Sequence, residues 1–100
     1  MQTVVEHPTF TKQAGKIWSE SELHAFIDWI AVNPLAGDVI PGGEGARKVR
    51  WATQGRGKSG GARVIYFNYS DEGMLELFAI YTKSERDSMP ATEINQNRRI

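Results

Sequence analysis

The order of apolar patterns along this chain predicts an α+β fold of the form β-α-α-β-β-β. Three observations predict it. A short β-branched run opens the chain, two helical stretches follow, and the strand-like segments gather afterwards. Strands gathered after helices imply a mostly antiparallel, twisted sheet with both helices on one face. The other face is then expected to stay solvated.

Each element has its own reason. Thr3-Val4-Val5-Glu6 is β-branched, and His7-Pro8 ends it, so it reads as a strand. Pro8 opens a first helix through about Ile17, because proline is favoured at the first helical position. Ser19 with Glu22 three residues on fits a capping box. Leu23, Phe26, Ile27 and Ile30 then form one apolar stripe, and Asn33-Pro34 stops the helix. Residues 34–45 are rich in Pro and Gly and read as a loop. Arg47 to Ala52 alternates, with Lys48 and Arg50 on one face and Val49 and Trp51 on the other. Ala62–Tyr69 and Met74–Tyr81 are strands joined by the turn signal Asp71-Glu72-Gly73. The segment 84–100 is polar, with disorder or a short helix opened by Pro90 as its two alternatives. Trp18, Trp29 and Trp51 are expected to pack the helices onto the sheet.

One hundred residues make a single domain, 1–100. No cysteine is present, which removes disulfides and thiolate metal sites and suits a reducing cytoplasm. No apolar run reaches the roughly 18 residues of a membrane span, and the N-terminus lacks a secretory pattern. A cytoplasmic protein with no membrane partner is therefore expected.

Charge is the strongest functional signal. Residues 47–63 hold six basic side chains (Arg47, Lys48, Arg50, Arg56, Lys58, Arg63) and no acid. Residues 1–46 carry two Lys against six carboxylates, and residues 64–100 carry four basic groups against six, in a chain of zero formal net charge. A neutral protein that gathers half its cations in one segment has built a local field. Like charges side by side repel unless an anion arrives, and the commonest cellular polyanion is nucleic acid. Tyr81, ending its strand just before Lys83, is the aromatic expected to face a ligand or stack on a base.

Other chemistry is weakly signalled. Gly57-Lys58-Ser59 resembles a phosphate loop, but Ala52 stands where the first glycine is required and a strand follows instead of a helix. The segment can still cradle an anion through its backbone N–H groups, Arg56 and Lys58. His7 and His24 lie in different elements without a carboxylate cluster, which argues against a histidine base or a metal site.

Gly37-Asp38-Val39-Ile40-Pro41-Gly42, Gly45-Ala46-Arg47-Lys48-Val49-Arg50-Trp51 and the string from Gly55 to Tyr66 resemble the HigB-like branch of the RelE-type bacterial toxins. The resemblance is dense over residues 34–83 and weaker at both ends. It implies a toxin of a type II toxin–antitoxin module, which enters the ribosomal A site and cleaves messenger RNA without metal or other cofactor. It implies an antitoxin partner of helix-turn-helix type, HigA-like, beside the ribosome and its messenger. By the same resemblance Lys48 and Arg50 match a basic strand pair, Arg63 the arginine on the scissile phosphate, and Lys83 a basic residue beyond the last strand. Arg47, Arg56, Lys58 and Tyr81 are the further RNA-binding candidates. The founding members place a tyrosine on the C-terminal segment as a proposed base, and no tyrosine follows Tyr81 here. Two alternatives stay open: a non-catalytic toxin of the same fold acting on DNA gyrase, and a nucleic-acid-binding regulatory module.

Overall fold

The structure is a computed structural model and describes residues 2–51 and 61–98. Strand β1 spans Thr3–Glu6, helix α1 Pro8–Ile17, helix α2 Glu20–Val32, strand β2 Asp38–Val39 and strand β3 Ala46–Trp51. Strand β4 spans Ala62–Tyr69, β5 Met74–Thr82, and helix α3 Ala91–Arg98, with a 3-10 turn at Ser70–Glu72. The α+β class holds. The strands form one mixed sheet in the order β1-β5-β4-β3-β2, in which only β1 and β5 run parallel.

Local chemistry explains the helix ends. Pro8 sits in the first turn of α1, and the His7 ring caps it, Nδ1 accepting from the Thr9 N–H at 3.1 Å. The capping box of α2 is closed in both directions: Glu22 N–H donates to Ser19 Oγ and Ser19 N–H donates to Glu22 Oε1. Phe10, Ala14 and Ile17 of α1 and Phe26 and Ile30 of α2 face the sheet. They meet Val49, Val64, Tyr66, Leu75, Leu77 and Ile80 there. All three tryptophans belong to this layer: Trp18 and Trp29 flank Phe26, and Trp51 meets Phe26 edge-on and Trp29 at a tilt.

The second sheet face departs from expectation. It is not a wholly solvated surface, because Ala46, Ile65, Phe67, Phe78 and Tyr81 form a second core capped by Ile94 of α3, with Ile40 and Met89 beside it. The polar composition of the C-terminal segment concealed this, since one buried isoleucine docks the helix. The stretch 34–45 also holds a short strand, β2, pairing Asp38 with Lys48 and Val39 with Arg47. Two residues between proline and glycine clusters are too few for any strand periodicity to be seen.

One irregularity governs the site. Ile65 pairs with Ala79, but the next residue, Tyr66, pairs with Leu77. Phe78 is therefore an extra residue in β5, a bulge. Because strand side chains alternate, a one-residue slip reverses the face of everything beyond it. Leu77 thus points to the helices, while Tyr81 lies in the second core.

Candidate nucleic-acid interface

Strand alternation and cross-strand register bring the main cations together. Lys48 and Arg50 are two apart on β3 and so share a face. Arg50 is directly opposite Arg63, and Arg63 is directly opposite Tyr81. Lys48, Arg50 and Arg63 therefore occupy the second sheet face, the one opposite α1 and α2. Arg50 is exposed, and Lys48 and Arg63 are half-buried. Directly opposed residues lie about 5 Å apart at Cβ, so Arg50 and Arg63 are adjacent like charges. Arg63 is held by its own backbone, Nη1 donating to the Gly61 carbonyl at 3.0 Å. Among the described residues none of these three cations forms an ion pair, although Asp38 stands directly opposite Lys48 across β2 and β3.

Lys83 follows β5 immediately and is exposed. Thr82 pairs with Ala62, and Ala62 with Trp51, so Lys83 emerges at the sheet end where Arg50 and Arg63 stand. Arg56 and Lys58 fall in residues 52–60 and lie outside the described residues.

Arg47 does not join the set. It is opposite Tyr66, on the helix face, and its guanidinium donates to the Gly37 carbonyl at 2.6 Å. Strand periodicity already separates positions 47 and 48, and here it outweighs their nearness in sequence. Arg47 instead closes a structural latch. The Tyr66 hydroxyl accepts from Gly37 N–H and donates to the Pro34 carbonyl, each at 3.0 Å. A Cβ at Gly37 would come within 2.6 Å of the Lys48 carbonyl oxygen, so only glycine permits this close approach. Burial is the main force raising the Tyr66 pKa, partly opposed by the Gly37 N–H and Arg47.

Tyr81 reaches the expected face but is only 3 % exposed, so it does not present an open stacking surface. The chain following β5 covers it. Arg86 lies over its ring at 5.8 Å from the centroid. Its hydroxyl makes no hydrogen bond of good geometry, although the Met89 N–H is near enough to favour the ionised form. Burial nonetheless dominates and raises its pKa.

A pair without any sequence signal locks this cover. Arg86 Nη1 donates to Glu93 Oε2 at 3.0 Å, and Nη2 donates to Oε1, a bidentate contact between the turn after β5 and α3. The hydrogen bonds from Arg86 hold the Glu93 carboxyl below its ordinary range, and the arginine pKa rises in response. Beside this lock lies a cavity of about 210 Å³, between α1, the outer edge of β5 and α3. Neither histidine stands near the cations: His7 caps α1 and packs its ring on Phe78, and His24 is an exposed residue of α2.

Among the described residues no helix is long and apolar enough to cross a membrane. No known protein-family model matches the chain.

Proposed function

We propose that this protein is the toxin of a two-gene toxin–antitoxin module and acts as an endoribonuclease on messenger RNA in the ribosomal A site. The observation that carries the proposal is the Lys48, Arg50 and Arg63 cluster on one sheet face, none of them ion-paired among the described residues. The sequence resemblance to RelE-type toxins supplies the ribosomal context.

RNA brings its own nucleophile. The 2′-oxygen attacks the adjacent phosphorus, the bond to the 5′-oxygen breaks, and a cyclic phosphate and a 5′-hydroxyl result. One proton leaves the 2′-hydroxyl and one reaches the departing oxygen. The transition state gathers negative charge on phosphorus-bound oxygens, and fixed cations stabilise it most where water is partly excluded. Half-buried Arg63, with its forked donors, takes the scissile phosphate. Lys48 and Arg50 orient the strand and add charge. Lys83, exposed at the same sheet end, is assigned the proton transfer. Tyr81 is an unsuitable base, because burial keeps its hydroxyl protonated.

The function also requires an inhibitor. An acidic antitoxin segment laid across the same cations would meet that need electrostatically.

The test is messenger cleavage in a translating extract, run beside a gyrase supercoiling assay. Wild-type protein is expected to cut messenger, and Arg63→Ala, still folded, is expected to lose at least a hundredfold in rate, on the scale of one lost charge-stabilising donor. Intact messenger with blocked supercoiling would replace this proposal with a gyrase-directed one.

A further inference from the structure

The cavity beside Tyr81 has features that the phosphate-binding face does not use. Its lining combines apolar Ala79, Ile80 and Met89 and the aromatic Tyr81 with polar Gln13 from α1 and Glu93 and Asn97 from α3. It opens at the outer edge of β5 because β1 pairs with β5 only as far as Leu77. At about 210 Å³ it is smaller than a drug-sized ligand site. One flat heterocycle suits that space; a whole nucleotide does not.

We propose that this cavity is a nucleobase pocket, receiving an amino-bearing base (adenine, cytosine or guanine) of the RNA whose phosphate rests on Arg63. The inference rests on the endoribonuclease reading and names the recognition element of the same site. Its first warrant is position. Arg63 and Tyr81 are direct cross-strand partners, and Tyr81 lines the cavity, so the phosphate ligand and the pocket are separated by one strand. That step is within the reach of one nucleotide.

The second warrant is chemistry. Gln13 and Asn97 each offer a donor and an acceptor, as a base edge requires. Glu85 and Glu93 also line the cavity and can only accept. Glu85 Oε1 already accepts twice, from the Thr82 N–H and Oγ1, which leaves its Oε2, while each Glu93 oxygen accepts once from Arg86 and retains a second lone pair. Exocyclic amino groups match these acceptors. Uracil, with a carbonyl on each side of its single N–H, presents lone pairs to them. Glu93 neutralises Arg86, and the two carboxylates repel phosphate, so the backbone stays on Arg63 and only the base enters.

The experiment titrates the four nucleoside 5′-monophosphates into the full-length protein and follows backbone amide resonances. AMP, CMP and GMP are expected to shift Gln13, Ile80 and Tyr81, and UMP is expected to leave them in place at equal concentration. Gln13→Leu and Asn97→Ala, each checked for an unchanged unfolding temperature, should weaken the effect about tenfold. Cut sites are then mapped in a translating extract for wild type and Asn97→Ala. Cleavage whose distribution shifts in the variant supports the pocket. Shifts confined to β3 and β4 and alike for all four nucleotides, or a cut pattern unchanged in the variant, overturn it. Base-selective binding by a wild type that cuts no messenger would leave the pocket standing and overturn the endoribonuclease reading alone.

Discussion

At the residue level, Tyr66 shows how a single hydroxyl organises a loop. It is fully buried on β4, and its oxygen joins two backbone groups of the 34–37 segment, Pro34 O and Gly37 N–H. Tyr66→Phe leaves both without that partner, which costs about 1–3 kcal/mol. Urea unfolding should show a lower midpoint with an unchanged slope. A midpoint equal to wild type would mean that water replaces the hydroxyl without loss. Arg47 contributes to the same latch through Gly37 O, so its substitution should act first on stability. Lys48, its neighbour in sequence, faces the opposite way, and its neutralisation should act first on RNA binding. A single peptide unit thus separates a structural cation from one assigned to RNA, and only strand alternation distinguishes them.

At the level of elements, α2 and α3 are held in different ways. Helix α2 owes its start to the reciprocal Ser19–Glu22 cap, and Ser19→Ala should lower stability by about 1 kcal/mol; thermal unfolding reads this directly. Helix α3 is docked by Ile94, the Arg86–Glu93 pair and a hydrogen bond from Asn95 to the Gly42 carbonyl. Arg86 and Glu93 are each 35 % exposed, so solvent screening limits the pair to below about 1 kcal/mol. Its pH dependence has a definite sign. The Glu93 pKa is lowered by folding, so its contribution is fully present above the ordinary carboxyl value of 4.5 and is lost as pH falls through the lowered one. Hydrogen exchange in α3 should accelerate over that acidic range, and Glu93→Gln should abolish the acceleration. Acceleration persisting in Glu93→Gln would assign the titration to another carboxylate.

At the level of the whole molecule, three cations of the basic segment, Lys48, Arg50 and Arg63, gather on one sheet face. Much of this was legible beforehand. Proline and the capping box marked the two helices, and strand alternation placed Lys48 and Arg50 together. The rest depended on pairings with no local signature. The bulge at Phe78 decides which face Tyr81 takes, and a bulge is a property of two strands. The docking of α3 turns on one isoleucine within a polar segment and on an ion pair seven residues apart across a turn. These long-range contacts cover Tyr81 and create the cavity beside it. The cations themselves lie clear of α1 and α2 on the opposite face, which makes a direct electrostatic test possible. Binding of a single-stranded RNA should weaken with salt, with a logarithmic slope that loses roughly 0.7 for each phosphate contact removed. Joint neutralisation of Lys48, Arg50 and Arg63 is predicted to reduce that slope by about 2, while neutralising the exposed Lys12 and Lys16 of α1 leaves it unchanged. Equal slopes for wild type and the triple variant would contradict the assignment of this sheet face to RNA phosphates.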